Sequence, residues 1–246
     1  MNSTTYIERR QELSEYFDRT AAKTWERLTS DAPVGRVRAT VREGRDRMRN
    51  NLLSWLPRDM RGLHLLDAGC GTGALAMEAA QRGAHVTAID ISPTLVDLAR
   101  QRTPEEIIEL IDYQVGDMLK PEINNRDGKF DYIVSMDSLI HYRRPDMVAA
   151  IQTLSEMCRS GLLVTFAPRT VPLAIMHAVG RLIPNRSHRA PAIEPVSESA
   201  LREGLTEAMA SQHWRLGRSE RVSGGFYISQ ALELVRTDSH PEKTQA

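Results

Sequence analysis

From Tyr6 to Trp55 the apolar residues recur at helical spacing: Tyr6, Leu13, Phe17, Ala21, Trp25 and Leu28, then Val34, Val37, Val41, Met48, Leu52 and Trp55. Pro57 ends this pattern, so residues 1–60 are expected to form a helical N-terminal segment. From Leu63 onward short β-type runs alternate with helical stretches. That alternation predicts strands at 63–68, 84–89, 111–115, 130–135 and 161–166 and helices near 74–82, 93–102 and 145–158, with Gly83 closing the first of these helices. Such βαβ repetition implies a mostly parallel sheet.

The pattern then breaks at 168–196, a stretch with five prolines that reads as an insertion after the fifth strand. A helix capped by Ser197 follows it, and two β-type runs, HWRLGRSERVS and FYISQALELVR, flank Gly224-Gly225 as a hairpin. The expected fold is therefore α/β and Rossmann-like, with a seven-stranded, mostly parallel sheet ending in an antiparallel hairpin. Residues 61–236 form its main domain, and the polar tail 237–246 reads as disordered.

Charge adds little at the level of the whole chain. Lys+Arg and Asp+Glu each total 32, which gives no global reason to expect a nucleic-acid partner. Cys70 and Cys158, read as a loop residue and a helix end, lack a CxxC spacing, and the N-terminus lacks a signal-peptide core. The expectation is a cytoplasmic protein with at most peripheral membrane contact and no protein-bound metal, since His177 and His188 belong to no ligand-spaced cluster.

Chemistry concentrates in LLDAGCGTG, where the first strand meets the first helix. Gly69, Gly71 and Gly73 let the backbone turn and approach a ligand, which by itself suits any nucleotide-type cofactor. Asp67, two residues before the first glycine, is placed to meet an amino group and so favours S-adenosylmethionine over a nicotinamide. Asp90, ending the second strand, suits two ribose hydroxyls. Asp117 in VGDM could accept from the adenine amine, although a solvated loop carboxylate is the plainer reading. Ile91 and Met118 would sandwich the adenine, Cys70 belongs to the loop itself, and Met136 either faces the sulfonium or fills core. His141 stands just beyond the fourth strand, on the side of the sheet where ligands bind; a structural histidine is the alternative.

The segments YFDRTAAKTWERL, VREGRDRMRNNLLSWLP, LLDAGCGTG, MDSLIHY, LLVTFAPRTVPLAIMHAVGRLIPNRSHRAP and FYISQALELVR together resemble the magnesium-protoporphyrin IX O-methyltransferases of bacteriochlorophyll biosynthesis, within the class I S-adenosylmethionine-dependent methyltransferases. The resemblance runs from about Tyr16 to Arg236. It implies methyl esterification of one propionate of Mg-protoporphyrin IX, with S-adenosylhomocysteine as the second product. It also implies a catalytic role for His141, with Tyr142 and Asp137 as further orienting candidates, and substrate delivery by the porphyrin-binding subunit of magnesium chelatase. One departure is plain: relatives tend to carry a tyrosine and glycine shortly after Trp-x-Arg, whereas Trp25-Glu26-Arg27-Leu28 leads here into Thr29-Ser30.

Under that resemblance the apolar stretch Val171–Ile183 reads as a lid over a flat macrocycle, with contact to a membrane or partner beside Arg181, Arg186 and Arg189, or a buried connecting helix, as alternatives. Eight arginines between residues 33 and 61 read mostly as a solvated helix face, with Arg36 and Arg38 ahead as carboxylate ligands. A quinone-type methyltransferase, a non-catalytic tetrapyrrole carrier and a nicotinamide oxidoreductase remain as alternative functions. The first shares everything through Asp117; the second has no need of three acids; the third lacks the early acid and the terminal hairpin.

Overall fold

The computed structural model describes residues 4–18, 36–124, 128–169 and 192–237. Two N-terminal helices, α1 (Thr4–Tyr16) and α2 (Arg36–Ser54), precede a sheet domain. In chain order that domain runs β1 (His64–Ala68), α3 (Ala74–Gln81), β2 (His85–Asp90), α4 (Pro93–Arg102), α5 (Glu105–Ile108), β3 (Ile111–Val115), β4 (Phe130–Ser135), α6 (Arg144–Glu156) and β5 (Cys158–Phe166). It ends with α7 (Glu198–Ala208), β6 (Trp214–Gly224) and β7 (Tyr227–Arg236).

The seven strands lie in the order β3-β2-β1-β4-β5-β7-β6, the first five parallel and β7 antiparallel to both β5 and β6. Successive residues of the central strands feed opposite faces, as the two-residue period of a strand requires. Leu66, Ile133 and Leu162 pack on one side with α1, α6 and α7. Leu65, Val134 and Leu163 pack on the other with α2, α3 and α4. Burial on both faces explains why the strands read as near-continuous apolar runs.

Local signals place most boundaries. Ser92 caps α4 by accepting from the Leu95 amide, Ser197 caps α7 by accepting from Ala200, and Gly83, at φ 93°, ends the turn after α3. Two details differ from expectation. The helix expected to reach 158 ends at Glu156, and Cys158 is not a helix end but the first residue of β5, paired with Phe130. The short α5 was not foreseen, because Pro104 reads as a breaker although it can equally precede a first helical turn.

Segment 168–196 leaves and re-enters the domain at one point: Pro168 bridges Val196, the Val196 amide donates to Ala167 O at 2.9 Å, and the Arg169 amide donates to Val196 O at 3.0 Å. The lid reading of Val171–Ile183, the arginines and histidines beside it, the Thr29 departure and most of the 237–246 tail lie outside the described residues.

Candidate active site

The carboxyl ends of β1, β2 and β4 open into one cavity of about 320 Å³. Its floor is the glycine turn. Gly69, at φ 87°, donates its amide to Ile89 O at 2.8 Å; a Cβ there would lie 1.8 Å from Ser138 Oγ. Gly71, at φ 53°, differs in that a Cβ would meet no protein atom within 4 Å and would stand in the space the cavity leaves. Backbone in this left-handed region favours glycine, and at Gly71 the missing side chain is room for a ligand.

Two carboxylates face each other across this turn. Asp90 is tied down, with Oδ2 accepting from the Gly71 amide at 2.9 Å and Oδ1 from the Ser92 amide at 3.0 Å. Burial pushes its carboxyl above the ordinary range against the pull of those amides. Asp67 is 2% exposed, yet its Oδ2 has no hydrogen-bond partner among the described residues. Burial first, and the neighbouring Asp90 second, raise the Asp67 carboxyl to about 7. An orphaned buried acceptor in a cavity wall asks for a cationic or N–H donor from a ligand.

Cys70, Ile91, Met118 and Met136 line the same cavity, as expected. Asp117 does not. Its Oδ1 accepts from Tyr6 Oη at 2.8 Å and from the Leu119 amide at 3.0 Å, and its Oδ2 accepts from Arg10 at 2.5 Å. The carboxylate expected to meet adenine is thus held by α1, although Gly116 and Met118 on either side of it do reach the cavity. Tyr6 continues the contact by stacking on Tyr142, with centroids 4.8 Å apart and planes 18° from parallel.

Beyond β4, His141 sits in a single 3-10 turn, Leu139–His141. Its Nδ1 lies 3.3 Å from Ala192 O, at the returning end of the insertion, and its ring meets Phe17 edge-on at 6.1 Å. Burial is the main cause that lowers its pKa from the ordinary 6.5. A neutral imidazole facing a carbonyl must donate Nδ1–H, which leaves Nε2 as an acceptor. Asp137 adopts φ 55° and is 7% exposed at its side chain. Its carboxylate accepts from Tyr227 Oη at 3.1 Å, Ser229 Oγ at 3.2 Å and Thr165 Oγ1 at 3.3 Å, so it anchors the loop to β5 and β7.

A family model described as magnesium-protoporphyrin IX methyltransferase C-terminus matches residues 135–236, and one described as methyltransferase domain matches 65–161. A magnesium-protoporphyrin O-methyltransferase of Rhodobacter capsulatus is 44% identical over 93% of this chain and 97% of its own length. This chain belongs to the magnesium-protoporphyrin O-methyltransferase family. A Synechocystis member is 30% identical over 92% of this chain and 95% of its own. A solved structure of magnesium protoporphyrin IX methyltransferase from Synechocystis, with bound SAH, superposes with a TM-score of 0.78 at 28% identity, covering 92% of this chain and 99% of that one.

The two matched regions divide the site. The glycine turn, Asp67 and Asp90 fall only in the general methyltransferase part, whereas Tyr227 and Ser229 fall only in the part specific to this family, and Met136 to Tyr142 lie where both overlap. Tyr6 and Leu13 of α1, Phe17 just past its end, and Arg42, Arg45, Asp46 and Arg49 of α2 also line the cavity; the sequence pattern marks the first three only as apolar helical positions and the arginines mostly as a solvated face. Arg38, favoured earlier, is exposed and does not line it, and the Arg36 side chain is outside the described set. Arg38 falls on the same helical face as 42, 45 and 49, so spacing does not separate it from them; it stands a turn nearer the start of α2, where it is exposed.

Proposed function

We infer that this chain is an S-adenosylmethionine-dependent O-methyltransferase that esterifies a propionate of Mg-protoporphyrin IX. The observation that carries the substrate is the full-length relationship to the Rhodobacter enzyme together with the family-specific match over residues 135–236. The cofactor fits the residues present. Asp67 offers its unpartnered oxygen to the ammonium group, Asp90 offers carboxylate oxygens to the ribose hydroxyls, Ile91 and Met118 cover the adenine, and Gly69, Cys70 and Gly71 form the backbone floor. When bound, S-adenosylmethionine supplies an electrophilic methyl group and leaves as S-adenosylhomocysteine.

What the chain must do is modest chemistry. A propionate has a pKa of roughly 4 to 5 in water, so it arrives ionised at neutral pH. Inside a partly dry pocket that value rises, and some of the population regains a proton. His141, neutral and with Nε2 as an acceptor, takes that proton and keeps the carboxylate nucleophilic. Tyr142, held by its stack on Tyr6, and Asp137, held by three hydroxyls, fix the wall beside it. Most of the rate then comes from orientation and from exclusion of water.

The reading extends to delivery of the porphyrin by the porphyrin-binding subunit of magnesium chelatase, supported by the sequence resemblance, and to peripheral membrane contact, supported by the apolar sequence Val171–Ile183 with Arg181, Arg186 and Arg189 beside it. No helix among the described residues is long and apolar enough to cross a membrane. The discriminating test offers the native chain Mg-protoporphyrin IX and a catechol-type quinol side by side. Preferential formation of an alkali-labile ester supports the reading, and preferential formation of an alkali-stable aryl ether overturns it.

A further inference from the structure

A chain of contacts reaches His141 from α1. Tyr6, Arg9 and Leu13 follow one another at helical spacing and share one face of that helix; Tyr6 and Leu13 are buried, and Arg9 keeps 21% of its side chain exposed. A cation in such a stripe is unfavourable unless it is paired. Arg9 pairs twice. Its Nη1 lies 2.9 Å from Glu12 Oε2 on the same helix, and its Nη2 lies 3.3 Å from Glu194 Oε1 at the returning end of the insertion. The Glu194 amide in turn donates to Ile140 O at 2.8 Å. Residue 194 is thus tied to α1 by its carboxylate and to the Leu139–His141 turn by its backbone. Ala192, two positions earlier, is the residue whose carbonyl meets His141 Nδ1 at 3.3 Å.

That carbonyl decides which ring nitrogen carries the proton. A neutral imidazole has one donor and one acceptor nitrogen, and a carbonyl on Nδ1 assigns the donor there. With the carbonyl displaced, Nε2 can take the proton and cease to accept. We propose that Arg9 and Glu194 are positioning residues for His141: their ion pair holds the Ala192 carbonyl on Nδ1 and so keeps Nε2 an acceptor. This inference rests on the role given to His141 above. The charges around the ring are consistent with it. Burial does most to keep the ring neutral and the Arg9 charge adds to it, against the Ala192 contact and the Asp137 charge from the ring's own loop.

The test compares the native chain, Glu194→Gln, Arg9→Gln, Arg9→Lys and His141→Ala. Three quantities are measured: kcat for Mg-protoporphyrin IX at saturating S-adenosylmethionine, the Kd of S-adenosylhomocysteine, and the imidazole nitrogen NMR spectrum at neutral pH, in which the signals lost in His141→Ala identify the ring. The native ring should carry its proton on Nδ1. Glu194→Gln keeps the backbone donor and removes only the charge; it should mix the two tautomers, lower kcat about tenfold and leave the Kd of S-adenosylhomocysteine within about twofold of native. Arg9→Gln should do the same, and carries the test if Glu194→Gln fails to fold. Arg9→Lys, which restores the cation, should recover most of the loss. A native ring protonated on Nε2 overturns the inference. So does an unchanged tautomer or an unchanged kcat in the folded glutamine variants, since the pair would then only fasten α1, and the role of His141 would stand. Native turnover in His141→Ala overturns that role and this inference together.

Discussion

The His141 imidazole and the Ala192 carbonyl are 3.3 Å apart, which joins the loop after β4 to the returning end of the insertion. Since a carbonyl only accepts, the contact fixes the tautomer of a neutral ring and with it the role open to Nε2. Burial lowers the pKa of that ring below 6.5. Turnover should therefore be level at neutral pH and fall on acidification through a value below 6.5, as the ring takes a proton and loses its acceptor. A pH profile of kcat at saturating S-adenosylmethionine checks this, because kcat/KM would also carry the Asp67 carboxyl, raised to about 7 in the ligand-free chain. His141→Ala should lower kcat about a hundredfold with S-adenosylhomocysteine affinity unchanged, and equal turnover would return the residue to a packing role.

Asp67 sets an opposite dependence for the cofactor and for the fold. Its carboxyl titrates at 3.8 in a free chain and at about 7 here. Below the first value it is protonated in both states and contributes nothing. As the pH rises toward about 7 the unfolded chain ionises and the folded one does not, so stability falls across that window. Asp67→Asn should stabilise the ligand-free chain at pH 8 by on the order of 2 kcal/mol, measured by urea unfolding. The same variant should raise the Kd of S-adenosylhomocysteine at least about tenfold, or roughly 1.4 kcal/mol.

Gly71 tests the shape of the floor. Gly71→Ala places a methyl group in empty cavity from a left-handed backbone. It should cost about 1 kcal/mol of stability and weaken cofactor binding well beyond that. Calorimetric titration and thermal unfolding separate the two effects, and tight binding in a folded variant would mean that the ligand sits elsewhere.

Tyr6→Phe removes one donor from Asp117 and keeps the ring that stacks on Tyr142. A buried hydrogen bond to a charged acceptor contributes about 1.5 to 3 kcal/mol, so loss of stability near the lower figure is expected, because Arg10 and the Leu119 amide remain. Cofactor affinity should fall modestly, since Met118 is carried by the same loop.

The β-strands and the glycine turn were legible because their signals are local: a buried parallel strand is a short apolar run, and Gly69 and Gly71 occupy φ values that favour glycine. Asp67 and Asp90 followed from position, one before the turn and one at the end of β2. The hold of α1 on Asp117 was not legible, because Tyr6 and Arg10 are 111 and 107 residues away and no local pattern announces a helix folding back onto a loop. The arginines were miscounted for a different reason. Charge density pointed to the start of the run, whereas the cavity takes 42, 45 and 49, which lie further along α2 on the face that residue 38 shares. The end of α6 was overrun because residues 156–160 contain no breaker, and only pairing of Cys158 with Phe130 starts the strand there.

The most direct test of the account is transfer of a labelled methyl group from S-adenosylmethionine to Mg-protoporphyrin IX by the purified native chain. The account predicts a monomethyl ester that carries the label and releases it as methanol on mild saponification. Absence of label above a protein-free control, in a preparation shown to bind S-adenosylhomocysteine, would contradict it.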